Sequence, residues 1–299
     1  MSVNGSLGRA GVFDSRPCTL GEGPIWHEAS GRVLWVDILQ RCVHWFRLSD
    51  GDTGTFSFPS DIGAFLARDD GRWVALLADG AYLFDEADSS LELIALFPHS
   101  LGSLEGSARM RANDAAVSPS GDIVAGTMPY DTDAHKGSGS LYLLEGDALS
   151  PLVDGVTISN GIGWSPDNAQ MFYIDTPTSR IDVFDCSLSP SFGLTNRRVF
   201  ARVEEGLGWP DGLAIDTQGY VWVALWAGSR VQRFAPDGSL AGYVELPCAN
   251  VTSCAFVGKD LMQLVITTST IGHEADKAAG QTYIFDVTVP GLPTAEAHA

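Results

Sequence analysis

Lysine is nearly missing from this 299-residue chain: Lys136, Lys259 and Lys277 stand beside fifteen arginines. Together these give 18 cations against 37 carboxylates and a formal net charge of −19. Proteins that hold a phosphate backbone carry basic stripes, so the charge argues against a nucleic-acid partner, and it equally disfavours an anionic membrane surface. Long apolar runs are missing too. No stretch approaches the roughly 18 uninterrupted apolar residues of a membrane helix, and residues 1–15 lack the apolar core of a signal peptide. A soluble, cytoplasmic protein is therefore expected. The five cysteines, Cys18, Cys42, Cys186, Cys248 and Cys254, are odd in number and show no CxxC spacing. Neither a disulfide framework nor a zinc site is indicated, and most are expected to be buried as small hydrophobes. There is no GxSxG elbow, and Ser159 shows no histidine partner in the sequence, so a serine hydrolase is a poor reading.

What is present is glycine, tryptophan and repetition. With 33 Gly, 15 Pro, 8 Trp and 45% hydrophobic residues, the composition suits a globular chain of many turns. Six times a turn residue introduces a β-rich apolar segment: Gly31-RVLWVD, Gly71-RWVALL, Gly121-DIVAGT, Asn168-AQMFYID, Gly219-YVWVAL and Asp260-LMQLVIT. The intervals between those turn residues are 40, 50, 47, 51 and 41. A short apolar segment precedes each turn, a third follows, and most units carry a fourth. Four short strands repeated at that period predict a β-propeller. The expected architecture is all-β, six blades of four antiparallel strands, in one domain over residues 1–299. The sixth unit ends in VTVPGLPTAEAHA, a poor fourth strand. Ala10-GVFDS at the other end is expected to supply it and so to close the last blade without an open edge.

If the first strand of each unit is innermost, its beginning opens on one mouth of a central channel. Eight residues before the turn lie Gly63, Asn113, Asn160, Asp211 and Thr252, and nine before the first turn lies Glu22. Pro210-Asp211-Gly212 alone is ordinary turn chemistry, and polar strand ends alone are what a wet channel needs. Their shared register turns them into a candidate site. A ring of carboxylates and amides, without His or Cys, is what a hard divalent cation prefers. Two long connections, 128–139 and 268–280, open on the same mouth and carry His135 and His273 as possible lid contacts.

Several stretches together resemble the senescence-marker-protein/gluconolactonase family, which includes regucalcin. They are LGEGPIW around Glu22, Arg111-Ala112-Asn113-Asp114, the AGTM ending at Met128, Ser159-Asn160-Gly161, Pro210-Asp211-Gly212 and the VTSCAF beginning at Val251. The resemblance spans nearly the whole chain and implies one divalent cation held by Glu22, Asn160 and Asp211, with calcium first and Zn, Mn, Mg or Fe(II) as alternatives. It implies a sugar lactone as substrate, contacted by Arg111 and Asn113. After AGTM the sequence departs from the animal members, and Tyr130 and Asp131 are the nearest candidates for further contacts. Lactone hydrolysis needs a Lewis acid, a placed water and a proton acceptor. Asp211 is expected to be that acceptor, with Asp114 and Asp175 as alternatives. The rival readings are a phosphotriesterase-like hydrolase and a non-catalytic calcium-binding propeller. A monomer or small homo-oligomer is expected.

Overall fold

The computed structural model describes residues 5–100, 108–189 and 191–298. β-branched and aromatic segments separated by Gly or Asn turns become strands because only those turn residues take the left-handed backbone at low cost. Gly71, Gly121, Asn168 and Gly219 have φ of 82°, 84°, 61° and 79° at the first hairpin of their blades. In the sixth blade the left-handed residue is Leu261, φ 54°, one position after Asp260.

The sheets form six blades of four strands, the fifth extended by one more. Inner strands Gly21–His27, Ile62–Ala67, Met110–Val117, Ser159–Trp164, Trp209–Ile215 and Val251–Val257 touch one another in a closed ring. Each second strand is covered on both faces by neighbouring blades, so Arg32–Asp37, Trp73–Leu77 and Val221–Leu225 are buried throughout. The core is thus distributed between blades: Phe56 of the first blade packs on Phe84 of the second with centroids 5.4 Å apart, and Trp222 meets Phe256 edge-on at 6.0 Å.

Gly11–Asp14 pairs antiparallel with Thr282–Asp286, supplying the outer strand of the sixth blade as the sequence predicts. Just before it, Ser6–Arg9 adds in parallel to Leu240–Glu245 of the fifth blade, so the N-terminal segment joins two blades. The C-terminal tail makes no strand. It crosses the face opposite the candidate site: Gly291 N–H donates to Leu261, Leu292 to Ile215, Ala297 to Ala67 and His298 to Gly121. Residues 292–295 close the base of a mostly apolar axial cavity of about 480 Å³, lined by Ile25, Phe65, Ile162, Leu213 and Phe256, with Asp114 toward its upper end. No helix among the described residues is long and apolar enough to cross a membrane.

Candidate active site at the channel mouth

All six inner strands break register at the same level. The breaks fall between Glu22 and Ile25, Ile62 and Ala64, Ala112 and Ala115, Asn160 and Ile162, Pro210 and Leu213, and Val251 and Ser253. Each is a bulge with one extra residue on the inner strand, which bends the strand and re-aims its side chains. Glycine allows the ring to close there. A Cβ on Gly63 would sit 2.7 Å from the carbonyl carbon of Ala112 and 2.9 Å from the amide nitrogen of Asn113.

The bulges bring Glu22, Asn113, Asn160 and Asp211 together, each buried, with Arg111 beside them. A directed chain of hydrogen bonds fixes the amides. Arg111 Nη1 donates to Asn113 Oδ1 at 2.7 Å and to Ala112 O at 2.9 Å. Asn113 Nδ2 donates to Asn160 Oδ1 at 3.0 Å and Ser159 O at 2.8 Å. Asn160 Nδ2 then donates to Thr176 Oγ1 at 2.8 Å, whose hydroxyl donates to Pro210 O at 2.9 Å. The nitrogen of each amide is therefore committed, and Asn160 turns its oxygen inward. Thr252, at the equivalent depth, donates to Gly21 O of the first blade and shares a second hydrogen bond with Thr267 Oγ1 of its own, tying the sixth blade to the first.

Electrostatics set the site apart from a wet strand terminus. Burial raises the pKa of Glu22 and Asp211, and neighbouring carboxylate charge raises both further, from Asp114 in one case and from Glu22 and Asp114 in the other. Burial pushes Asp114 up to about 7. The Arg111 guanidinium opposes both shifts, and burial lowers its own pKa. Asp211 Oδ1 is buried and has no hydrogen-bond partner among the described residues. A buried anionic acceptor without a donor is costly. Converging oxygen atoms, surplus negative charge and one unfilled acceptor fit a hard divalent cation.

The two candidates after Met128 behave differently. Tyr130 enters the mouth: its hydroxyl donates to Asp61 Oδ2 at 2.6 Å and its ring lies under Arg109 and Arg111, 4.3 and 6.0 Å from their guanidinium carbons. Asp131 is exposed and accepts the Ala134 N–H at 2.9 Å, capping its own turn. Asp175 accepts the N–H groups of Thr157 and Ile158 and anchors that loop. His135 donates its backbone N–H to Asp131 O, and His273 lies on an exposed loop. The strand spacing contains no signal for Thr176, Asp61 or Arg41, which come from connections. A separate group, Cys18, Asp37 and His44, offers ligand atoms within 4.8 Å of one another. There Asp37 accepts the N–H groups of Thr19, Leu20 and Gln40, the loop-anchoring duty that Asp175 performs in the fourth blade.

Fold and site together define a six-bladed propeller with a carboxylate–amide centre at one mouth of its channel. Residues 20–270 match the SMP-30/Gluconolactonase/LRE-like region. Danio rerio regucalcin is 33% identical over 265 residues, 88% of this chain and 87% of that one. The 6-deoxy-6-sulfogluconolactonase of Pseudomonas putida is 32% identical over 283 residues, covering 92% and 94%. The crystal structure of a calcium-binding regucalcin from Agrobacterium tumefaciens superposes with a TM-score of 0.89 at 29% identity, covering 98% of this chain and 99% of that one. The chain belongs to the SMP-30/gluconolactonase family, and lactonases are among its relatives.

Proposed function

We propose that the protein hydrolyses a sugar lactone to its hydroxy acid, using one divalent cation held by Glu22, Asn160 and Asp211. The observation that carries this reading is the buried Asp211 Oδ1, left without a donor in a mouth it shares with Glu22 and the inward oxygen of Asn160. The calcium-binding neighbour and the oxygen-only set favour calcium first. When bound, the cation polarises the ring carbonyl and stabilises the charge that develops on its oxygen.

The remaining work falls to the chain's own groups. Arg111, held through Nη1, and Asn113 hold ring hydroxyls so that the carbonyl meets its water in one orientation. Asp211 accepts the proton of the attacking water as general base. The water oxygen bonds to the carbonyl carbon, the bond from that carbon to the ring oxygen breaks, and the proton returns to the ring oxygen. Asp175 is engaged by its loop and Asp114 lines the cavity beneath, which leaves Asp211 as the base. Tyr130 and Asp131 flank the substrate entrance.

The test is a panel of lactones assayed by acid release after chelation, with each cation restored in turn. Cation-dependent acid release from a sugar lactone is expected. Tight cation binding without acid release from any lactone overturns the reading in favour of a non-catalytic calcium-binding propeller. Cleavage of a phosphotriester alone favours the other hydrolase.

A further inference from the structure

Arginines elsewhere in this acidic chain are mostly matched to carboxylates at close range: Arg32 with Glu86 at 2.7 Å, Arg72 with Asp70 at 2.6 Å and Arg233 with Asp216 at 2.7 Å. At the rim above the candidate site one carboxylate is shared between an arginine and a tyrosine. Arg41 Nε donates to Asp61 Oδ1 at 3.1 Å, while Tyr130 donates to the other oxygen of the same carboxylate. Arg109 lies over the other side of that link, stacked on the Tyr130 ring, and the backbone bond from Tyr130 N to Arg109 O at 2.9 Å fixes the pair. Asp61 thus holds Arg41 directly, and Tyr130 links it to Arg109 through its ring. Both are open to solvent: Arg109 is exposed and the Arg41 side chain is 54% exposed.

We infer that Arg41 and Arg109, spaced by Tyr130, form a subsite for an anionic substituent on the lactone: a phosphate, sulfonate or carboxylate group at the end remote from the carbonyl. This rests on the lactonase reading and names the substrate class of that same site. Asn113, Arg111 and Arg109 lie two residues apart along one chain direction, a step of about 6–7 Å each in extended backbone. Asn113 sits level with Glu22 and Asp211, Arg111 one step outward and Arg109 two. A lactone carbonyl at the inner level and hydroxyls at Arg111 direct the far carbon toward the rim. There a guanidinium can meet an oxyanion with two parallel N–H donors, which a neutral hydroxyl cannot use fully. A protein of net charge −19 repels an anionic substrate at long range, so local cations are needed to seat one.

The experiment compares kcat/KM for glucono-1,5-lactone and its 6-phosphate, with calcium present, in the wild type and in Arg109→Gln and Arg109→Lys. The wild type should favour the anionic lactone about tenfold or more. In Arg109→Gln the anionic-to-neutral ratio should fall about tenfold, Arg109→Lys should recover part of it, and raising salt should shrink the wild-type ratio. Wild-type hydrolysis of both lactones without preference overturns the subsite and leaves the lactonase reading intact, as does an equal loss on both substrates in Arg109→Gln. Hydrolysis of neither overturns the lactonase reading itself, and this inference with it.

Discussion

Asp211→Asn keeps the shape of the side chain and removes its charge, so it separates a cation ligand from a residue that merely holds the fold. Without a cation, the ionised site is a liability. Burial pushes the Asp114 carboxyl up to about 7, on the order of 4 kcal/mol between protonation states, and Asp211 is displaced in the same direction with the charges of Glu22 and Asp114 added. The sign follows from linkage. A carboxyl whose folded pKa is raised gives stability that is present below its unfolded value near 4 and lost as pH rises through the folded value. In chelator at pH 8 the wild type should therefore melt below Asp211→Asn, by at least about 1 kcal/mol or roughly 2–4 °C. Supplying calcium at a hundredfold excess over its Kd should stabilise the wild type by about 2.7 kcal/mol and leave Asp211→Asn nearly unmoved, so the order reverses. At pH 5 the chelated proteins should converge. Differential scanning calorimetry with and without chelator at the two pH values reads all of this. If Asp211→Asn melts lower than the wild type by the same amount with and without calcium, Asp211 is a structural residue and the cation assignment fails.

Three further perturbations probe the surroundings of the site. Arg111→Ala should raise KM about tenfold for a polyhydroxylated lactone and much less for unsubstituted δ-valerolactone, because Arg111 orients Asn113 and in the proposed mechanism holds the ring hydroxyls; equal loss on both would refute substrate positioning. Gly63→Ala should cost about 1–3 kcal/mol and depress activity, since its Cβ meets backbone atoms of Ala112 and Asn113 that have no flexible end to yield; unchanged melting and turnover would show that the ring does not need this closeness. Ending the chain after Val287 removes the tail that spans Leu261, Ile215, Ala67 and Gly121. It should lower stability on the order of 2 kcal/mol through lost apolar burial and admit a fluorescent apolar dye to the axial cavity, whereas an unchanged melting temperature with no dye uptake would deny the tail a sealing role.

The blades were legible because hairpins carry their own chemistry: a left-handed residue, Gly or Asn in five blades and Leu261 in the sixth, then a β-rich segment. Ser6–Arg9 was not, since four mostly exposed residues pairing in parallel with the fifth blade leave no alternation to detect. The tail escaped for the opposite reason, being held by isolated backbone bonds to four blades rather than by a strand pattern.

The site divides along the same line. Glu22, Asn113, Asn160 and Asp211 could be found by counting back from a turn because each inner strand places its bulge at a nearly constant distance from its hairpin. The count is nine in the first blade because the three-residue turn Glu28–Ser30 precedes Gly31, and nine in the sixth when taken from Leu261, whose backbone is the left-handed one there. Counting eight from Asp260 reaches Thr252 all the same, because Asp260 lies one residue before that left-handed position. Asp61, Arg41 and Thr176 belong to connections whose lengths differ from blade to blade, so no period predicts them. They nonetheless decide what the periodic residues can do: Thr176 fixes which end of Asn160 faces inward, and Asp61 holds Tyr130 and Arg41 in one cluster. The carboxylate–amide centre therefore sits on the strands, where register is rigid, while the groups around it come from connections whose lengths differ from blade to blade.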